Sequence, residues 1–272
     1  MRKICVLIVL LALVLGGCAA KPTEEAPLPP VEEEPVVEPQ PNLPEPEPLE
    51  PELPEPEPSK PLHSELYLPH CTVEQMTEYF EEVVLNVEYT DGEGDAHLVQ
   101  KWLTPLTYWI YGTPTDADLE VLNGLFTQLN GIPGFPGIHA AAEDGQESVS
   151  IRFVNRDTFR AAFSDVIGGE EAFGAVQFWY YTDSNELHTA RIGYRTDLEQ
   201  HIRNSVLVEE VINILGITDT VLRPDSITYQ YSDEALTLSD VDLVILKLLY
   251  SPEIQCGMDA AACAAVIREL YY

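Results

Sequence analysis

Residues 22–61 alternate proline with glutamate, contain no aromatic residue and hold most of the prolines in the chain. Proline removes backbone donors and the carboxylates repel one another, so this stretch cannot bury enough apolar surface to offset its ordering entropy. The composition predicts an extended, polyproline-II-like spacer. Forty such residues reach on the order of 120 Å at about 3.1 Å each. A proline-rich tract can also serve as the ligand of an aromatic-lined groove. Core formation falls to residues 62–272, a length of roughly 210 residues that suits one domain with a sizeable core.

Ahead of the spacer, Arg2 and Lys3 precede an apolar run that ends in Leu15, Gly16, Gly17 and Cys18. The run is shorter than the roughly 20 residues a membrane span needs, and its small terminal residues suit a signal peptidase. The tetrapeptide resembles a bacterial lipobox. That resemblance implies a signal peptide over residues 1–18, lipidation of Cys18, and an extracytoplasmic protein anchored to the bacterial cell membrane. Residues 19–61 then form the spacer and residues 62–272 the globular domain.

The chain carries 46 acidic and 14 basic residues, a formal net charge of −32. The excess persists in residues 62–272, with 34 Asp and Glu against ten Lys and Arg. Such a surface repels phosphate backbones, so nucleic acid is not an expected partner. Export permits a disulfide, and Cys256 and Cys263, close in sequence near an expected helix start at 258–260, are the candidate pair. Cys71 reads as a buried structural thiol.

Along the folded part, Thr72 with Gln75 forms a capping-box pattern before a helix over about 73–87. Residues 106–112 read as a strand and 116–130 as a helix capped by Thr115 or Asp116. Short strands are expected near 138–142 and 148–154, a short helix at 157–163, and a hairpin of 175–182 with 187–195 across Asp183, Ser184 and Asn185. A long helix follows over about 197–215. On a wheel at 100° per residue its apolar residues spread over nearly the whole circumference, leaving one polar arc at Glu199, Arg203 and Glu210. Glu209 and Asn213 instead sit among apolar positions, so they must find partners or line a cleft.

The segment EEVINILGITD, residues 209–219, resembles the HExxHxxGxxH segment of the metzincin zinc peptidases in spacing, where the last ligand is sometimes Asp. Glu209 and Asn213 stand where the two helical histidines would be. Glu210, Gly216 and Asp219 match the general base, the turn glycine and the third ligand. Ser226, Ile227, Thr228 and Tyr229 resemble the Met-turn that follows, with Thr228 replacing its Met. The resemblance implies an α+β, zincin-like fold, a mixed sheet packed on a long central helix with C-terminal helices. It also implies a cleft at Glu209, Asn213, Asp219 and Tyr229.

Metal chemistry does not carry over, because Asn is a weak neutral ligand and Glu a hard oxygen ligand, a poor set for zinc. Without a metal Glu210 has no acidified water to deprotonate, so it is a candidate base only, and it reads more readily as a solvated helix-surface carboxylate. Gly216 is a good helix C-cap and Asp219 an ordinary turn residue. The six histidines show no HxxxH spacing, and no GxSxG, P-loop or GxGxxG is present.

EEVINILGITD, SITY, LTLSD and LVILKLLYSPEIQCGM together also resemble an uncharacterised family of bacterial lipoproteins, domain-of-unknown-function family 2927. The expectation is a non-catalytic lipoprotein without cofactor or metal, binding a peptide, a cell-envelope component or a protein partner. The alternative is a hydrolase using Glu209, Asn213 and Asp219 around a harder ion such as Ca²⁺ or Mn²⁺.

Overall fold

The computed structural model describes residues 4–9, 64–85, 97–164, 172–231 and 235–271; the spacer, the lipobox and Cys18 lie outside the described residues. Strands β2 (Leu106–Gly112), β3 (Ile138–Ala140), β4 (Val149–Val154), β5 (Gly174–Tyr181) and β6 (Leu187–Arg195) form a mixed sheet in the order β5-β6-β4-β2-β3. β3, β2, β4 and β6 are mutually parallel, and β5 runs antiparallel to them, hairpinned to β6. Asn185, at φ 57, turns that hairpin in the left-handed region that Asn tolerates.

A further strand, β1 (Ile4–Val9), lies antiparallel along the outer edge of β5, from Ile4 opposite Tyr181 to Val9 opposite Val176. Sequence patterning assigns this apolar run to the signal peptide and predicts no strand here.

The helices are α1 (Val73–Phe80), α2 (Asp116–Asn130), α3 (Arg156–Ala162), α4 (Gln200–Asn213), α5 (Asp240–Leu249) and α6 (Ala260–Tyr271). α1, α2 and α5 each start at a reciprocal capping box, Thr72 with Gln75, Thr115 with Asp118 and Ser239 with Asp242, which satisfies orphan amides at both ends of the motif. α1 does not continue as regular helix to 87; it widens into a π turn at Glu81–Leu85. α4 is shorter than expected and passes through Ile214 into the turn at Gly216. No helix among the described residues is long and apolar enough to cross a membrane.

Strand alternation divides the sheet cleanly. Val149, Ile151 and Phe153 of β4, Ala190, Ile192 and Tyr194 of β6 and Val176 and Phe178 of β5 are buried in the main core with α2 and α4. Among the described residues the opposite face is covered only in part, where Phe159 of α3 and Phe163 at its C-cap pack with Ala172 and Ala175. α1, α5 and α6 close the core beyond α4, with Leu246, Leu248, Leu249 and Ile267 fully buried.

Candidate functional site

Helix α4 runs directly from the hairpin into the core and is buried on nearly every side. Glu209, Glu210 and Asn213 are buried, and so is Asp219 in the loop beyond the turn. The polar arc expected at Arg203 and Glu210 does not face solvent. Arg203 forms a buried ion pair with Asp118 of α2, and Glu210 lies against the backbone of β5. A helical wheel ranks faces by polarity, but here one helix and one strand pack onto the arc the wheel marks as polar. Glu199 and His201 at the helix start are the residues that remain outside.

Two glycines make this packing possible. At Gly174 a Cβ would fall 2.4 Å from Glu210 Oε1 and 2.6 Å from Val206 Cγ1, so the absent side chain is the space the carboxylate occupies. Gly216 adopts φ +94, a left-handed conformation, and a Cβ there would lie 2.2 Å from the carbonyl oxygen of Gln100. The open carbonyls at the end of α4 are capped by buried aromatics: Trp102 Nε1 donates to Ile214 O at 2.7 Å and Tyr250 Oη to Leu215 O at 3.1 Å.

Beyond Gly216 the chain is tied down at once. The Thr218 amide donates to Val83 O at 2.7 Å, and the carboxylate of Glu82 accepts from the Thr220 hydroxyl and from the Val221 amide. The Ser226–Tyr229 turn is organised by Asp242. Its Oδ1 accepts from Ser226 Oγ at 2.6 Å, and its Oδ2 from the amides of Ile227 and Ser239. Thr228, at the position of the Met in the resemblance, is buried, while Tyr229 is half-exposed and packs edge-on to Tyr231.

Glu210, Asn213 and Asp219 come together in the interior. Asn213 Nδ2 reaches Glu210 Oε2 at 3.5 Å, whereas Glu210 Oε1 and Asn213 Oδ1 are buried without a hydrogen-bond partner. Burial first, then the Asp219 carboxylate, push the Glu210 carboxyl up to about 8. Glu209 and Tyr194 belong to the same region, since burial and then the charges of Glu210, Glu209 and Asp118 all hold the Tyr194 phenol protonated. Tyr194 Oη donates to Leu207 O at 2.9 Å, inside α4.

The four acidic and amide side chains therefore form an interior polar cluster, not the walls of an open cleft. A cavity of about 610 Å³ is lined elsewhere, by Glu78, Glu81, Glu82, His97, Leu222 and Asp259 among others. Among the described residues no three His, Cys, Asp or Glu side chains group closely enough to hold a metal ion.

The disulfide expected between Cys256 and Cys263 is not formed; both thiols and Cys71 are free. Cys256 Sγ contacts Lys101 O at 3.6 Å, and Cys263 is buried on the core side of α6. Burial pushes both thiols up, Cys263 to about 11. Closeness in sequence does not supply the required geometry between the two Cβ vectors. Cys71 is half-buried.

Several organising residues belong to no catalytic or metal-binding motif. Buried Lys101 donates from Nζ to the carbonyls of Leu249, Ser251 and Ile254, fixing the end of α5. Asp118 binds Arg203, Gln200 and the Thr115 amide together. Asp118 and Asp242 occupy the third position of their capping boxes, and that pattern, TxxD or SxxD, is their one signal in the sequence.

Residues 73–269 match a family described as a protein of unknown function, DUF2927. The chain belongs to that family. The matched stretch runs from α1 to α6 and so takes in the interior cluster and both turns. The family carries no assigned activity. No curated protein matches the chain.

Proposed function

We propose that this chain is an extracytoplasmic lipoprotein, anchored through Cys18, whose zincin-like domain is non-catalytic and serves to bind a component of the cell envelope. The zincin reading is supported by the element order, in which a strand, a helix and then the remaining strands lead into α4, with a glycine turn and the Ser226–Tyr229 turn after it.

The observation that carries the non-catalytic reading is the enclosure of Glu210. The residue is 2 % exposed and packed on Gly174, so its carboxyl, which burial raises to about 8 and keeps mostly protonated at neutral pH, is closed off from water and substrate. A working general base needs the opposite, an ionised carboxylate within reach of a water or substrate proton.

The test is hydrolysis of a fluorogenic peptide library by the full chain, with and without added Zn²⁺, Ca²⁺ or Mn²⁺. The expected result is no turnover above the protein-free blank. Turnover that Glu210→Gln abolishes would contradict the reading and favour a hydrolase.

A further inference from the structure

We propose that the open face of the sheet, between β2 and β5, is a binding surface for a glycan whose carboxylates are spaced along otherwise neutral sugar rings. This surface lies on the opposite side of the sheet from α4, and the inference is independent of whether the α4 cluster is catalytic.

The register aligns the outward residues into rows. Trp109 is opposite Ser150, and Ser150 is opposite Arg191; two residues further along, Tyr111 is opposite Arg152. Trp179 stands on the same face of β5, one row back, opposite Thr189. Among the described residues α3 covers only the far corner, where Phe163 sits so close over Gly193 that a Cβ would fall 2.3 Å from its ring. The Arg191 guanidinium lies 4.8 Å from the same ring centre, which braces it at the border of the open area. Trp109, Ser150, Arg191 and Trp179 are all partly exposed, and Arg152 is exposed.

Two partly exposed indoles on one sheet face offer flat platforms on which a ligand can stack. Three strand spacings separate Trp109 from Trp179, about 15 Å, the span of a short oligosaccharide. Indole faces stack on the C–H faces of sugar rings, and the Ser150 hydroxyl suits a sugar hydroxyl.

Charge decides the class of sugar polymer. Five of the ten cationic residues in 62–272, Arg152, Arg156, Arg160, Arg191 and Arg195, belong to β4, α3 and β6. Arg195 is committed to a bidentate pair with Asp197, and Arg152 is the exposed guanidinium of the rows themselves. Arg152 lies 4.5 Å from the ring centre of Tyr111, whose hydroxyl is held by Asp144 and Glu147. The planar guanidinium fork matches a carboxylate bidentately. Elsewhere the acidic surface repels polyanions, and screening confines the attraction to within about 8 Å of the arginines at physiological ionic strength. Sparse carboxylates between neutral rings satisfy both conditions, whereas a densely charged polyphosphate does not.

Hyaluronan hexasaccharide, which alternates acidic and neutral rings, is the probe. It would be titrated into the detergent-solubilised full chain and followed by tryptophan fluorescence. The expected result is saturable quenching, weakened about tenfold by Trp109→Ala. Arg152→Gln should weaken it several-fold and flatten its salt dependence, and uncharged chitohexaose should bind wild-type protein about as weakly as the hexasaccharide binds Arg152→Gln. Trp109→Phe, which keeps an aromatic platform, should retain most of the affinity and guards against simple misfolding. No saturable quenching by the hexasaccharide, or affinity unmoved by Trp109→Ala and Arg152→Gln, would overturn the proposal. Poly-glutamate binding as tightly would overturn it too, assigning the face to acidic peptides. Absence of peptide hydrolysis would persist in any of these cases, so the two readings fail separately.

Discussion

Replacing Glu210 with Gln should change the pH dependence of stability in one direction only. In the unfolded chain this carboxyl ionises near 4.5, and in the folded protein burial and the neighbouring Asp219 raise it to about 8. Between those values the folded state holds a proton that the unfolded state has lost. The stabilising contribution is therefore complete below about 4.5 and is lost as pH rises through about 8. Each tenfold difference in proton affinity between the two states is worth about 1.4 kcal/mol, so the full loss is on the order of 5 kcal/mol, with about 3 kcal/mol already gone at pH 7. Glu210 faces Asp219 from the loop, Asn213 from its own helix and Tyr194 from β6, so the apparent titration belongs to the carboxylate pair. Gln reproduces the protonated carboxyl in shape and cannot ionise. Urea unfolding of the full chain followed by circular dichroism at pH 5, 7 and 9 measures the difference between wild type and Glu210→Gln, which cancels the slope from the other acidic groups. The variant should match wild type within about 1 kcal/mol at pH 5 and exceed it by about 3–5 kcal/mol at pH 9. Parallel profiles for the two proteins would refute the buried, proton-holding assignment of Glu210.

Other perturbations test separate parts of the structure. Arg203→Met leaves Asp118 as a buried charge without its guanidinium, and a loss of about 3–5 kcal/mol is expected in the same unfolding assay. Gly216→Ala forces a Cβ against the Gln100 carbonyl at a left-handed φ, so it should cost more than the roughly 1 kcal/mol typical of a point mutation. A melting temperature equal to wild type would show that the turn tolerates a side chain. Cys18→Ala should abolish fatty-acid labelling and release the protein from the membrane fraction, and unchanged labelling would remove the lipid anchor from the account.

Much of the fold is written in local patterns. The capping residues Thr72 and Thr115 start helices where the sequence places them, and strands form at 149–154 and 187–195 as expected. The burial of Glu209 and Asn213 is legible because apolar residues flank both on the wheel. The burial of Glu210 and Arg203 is not, because their environment comes from Gly174 and Asp118, 36 and 85 residues away in the chain. Nothing local to a helix reports which strand or helix lands on its polar arc. Likewise, the spacing of Cys256 and Cys263 carries no orientation, and the structure directs the first toward Lys101 and the second into the core. The double duty of Asp118 and Asp242 is half-visible in the sequence, as capping residues whose second set of partners is tertiary.

The central claim is that the α4 helix and its turn keep the spacing of a metal-binding element while their polar residues serve the interior. Elemental analysis of the purified full chain, after dialysis against a metal-free buffer without chelator, tests it most directly. Zinc far below one equivalent per chain is expected. About one tightly held zinc per chain, lost on replacing Asp219 or Asn213 with Ala in protein that still folds, would contradict it.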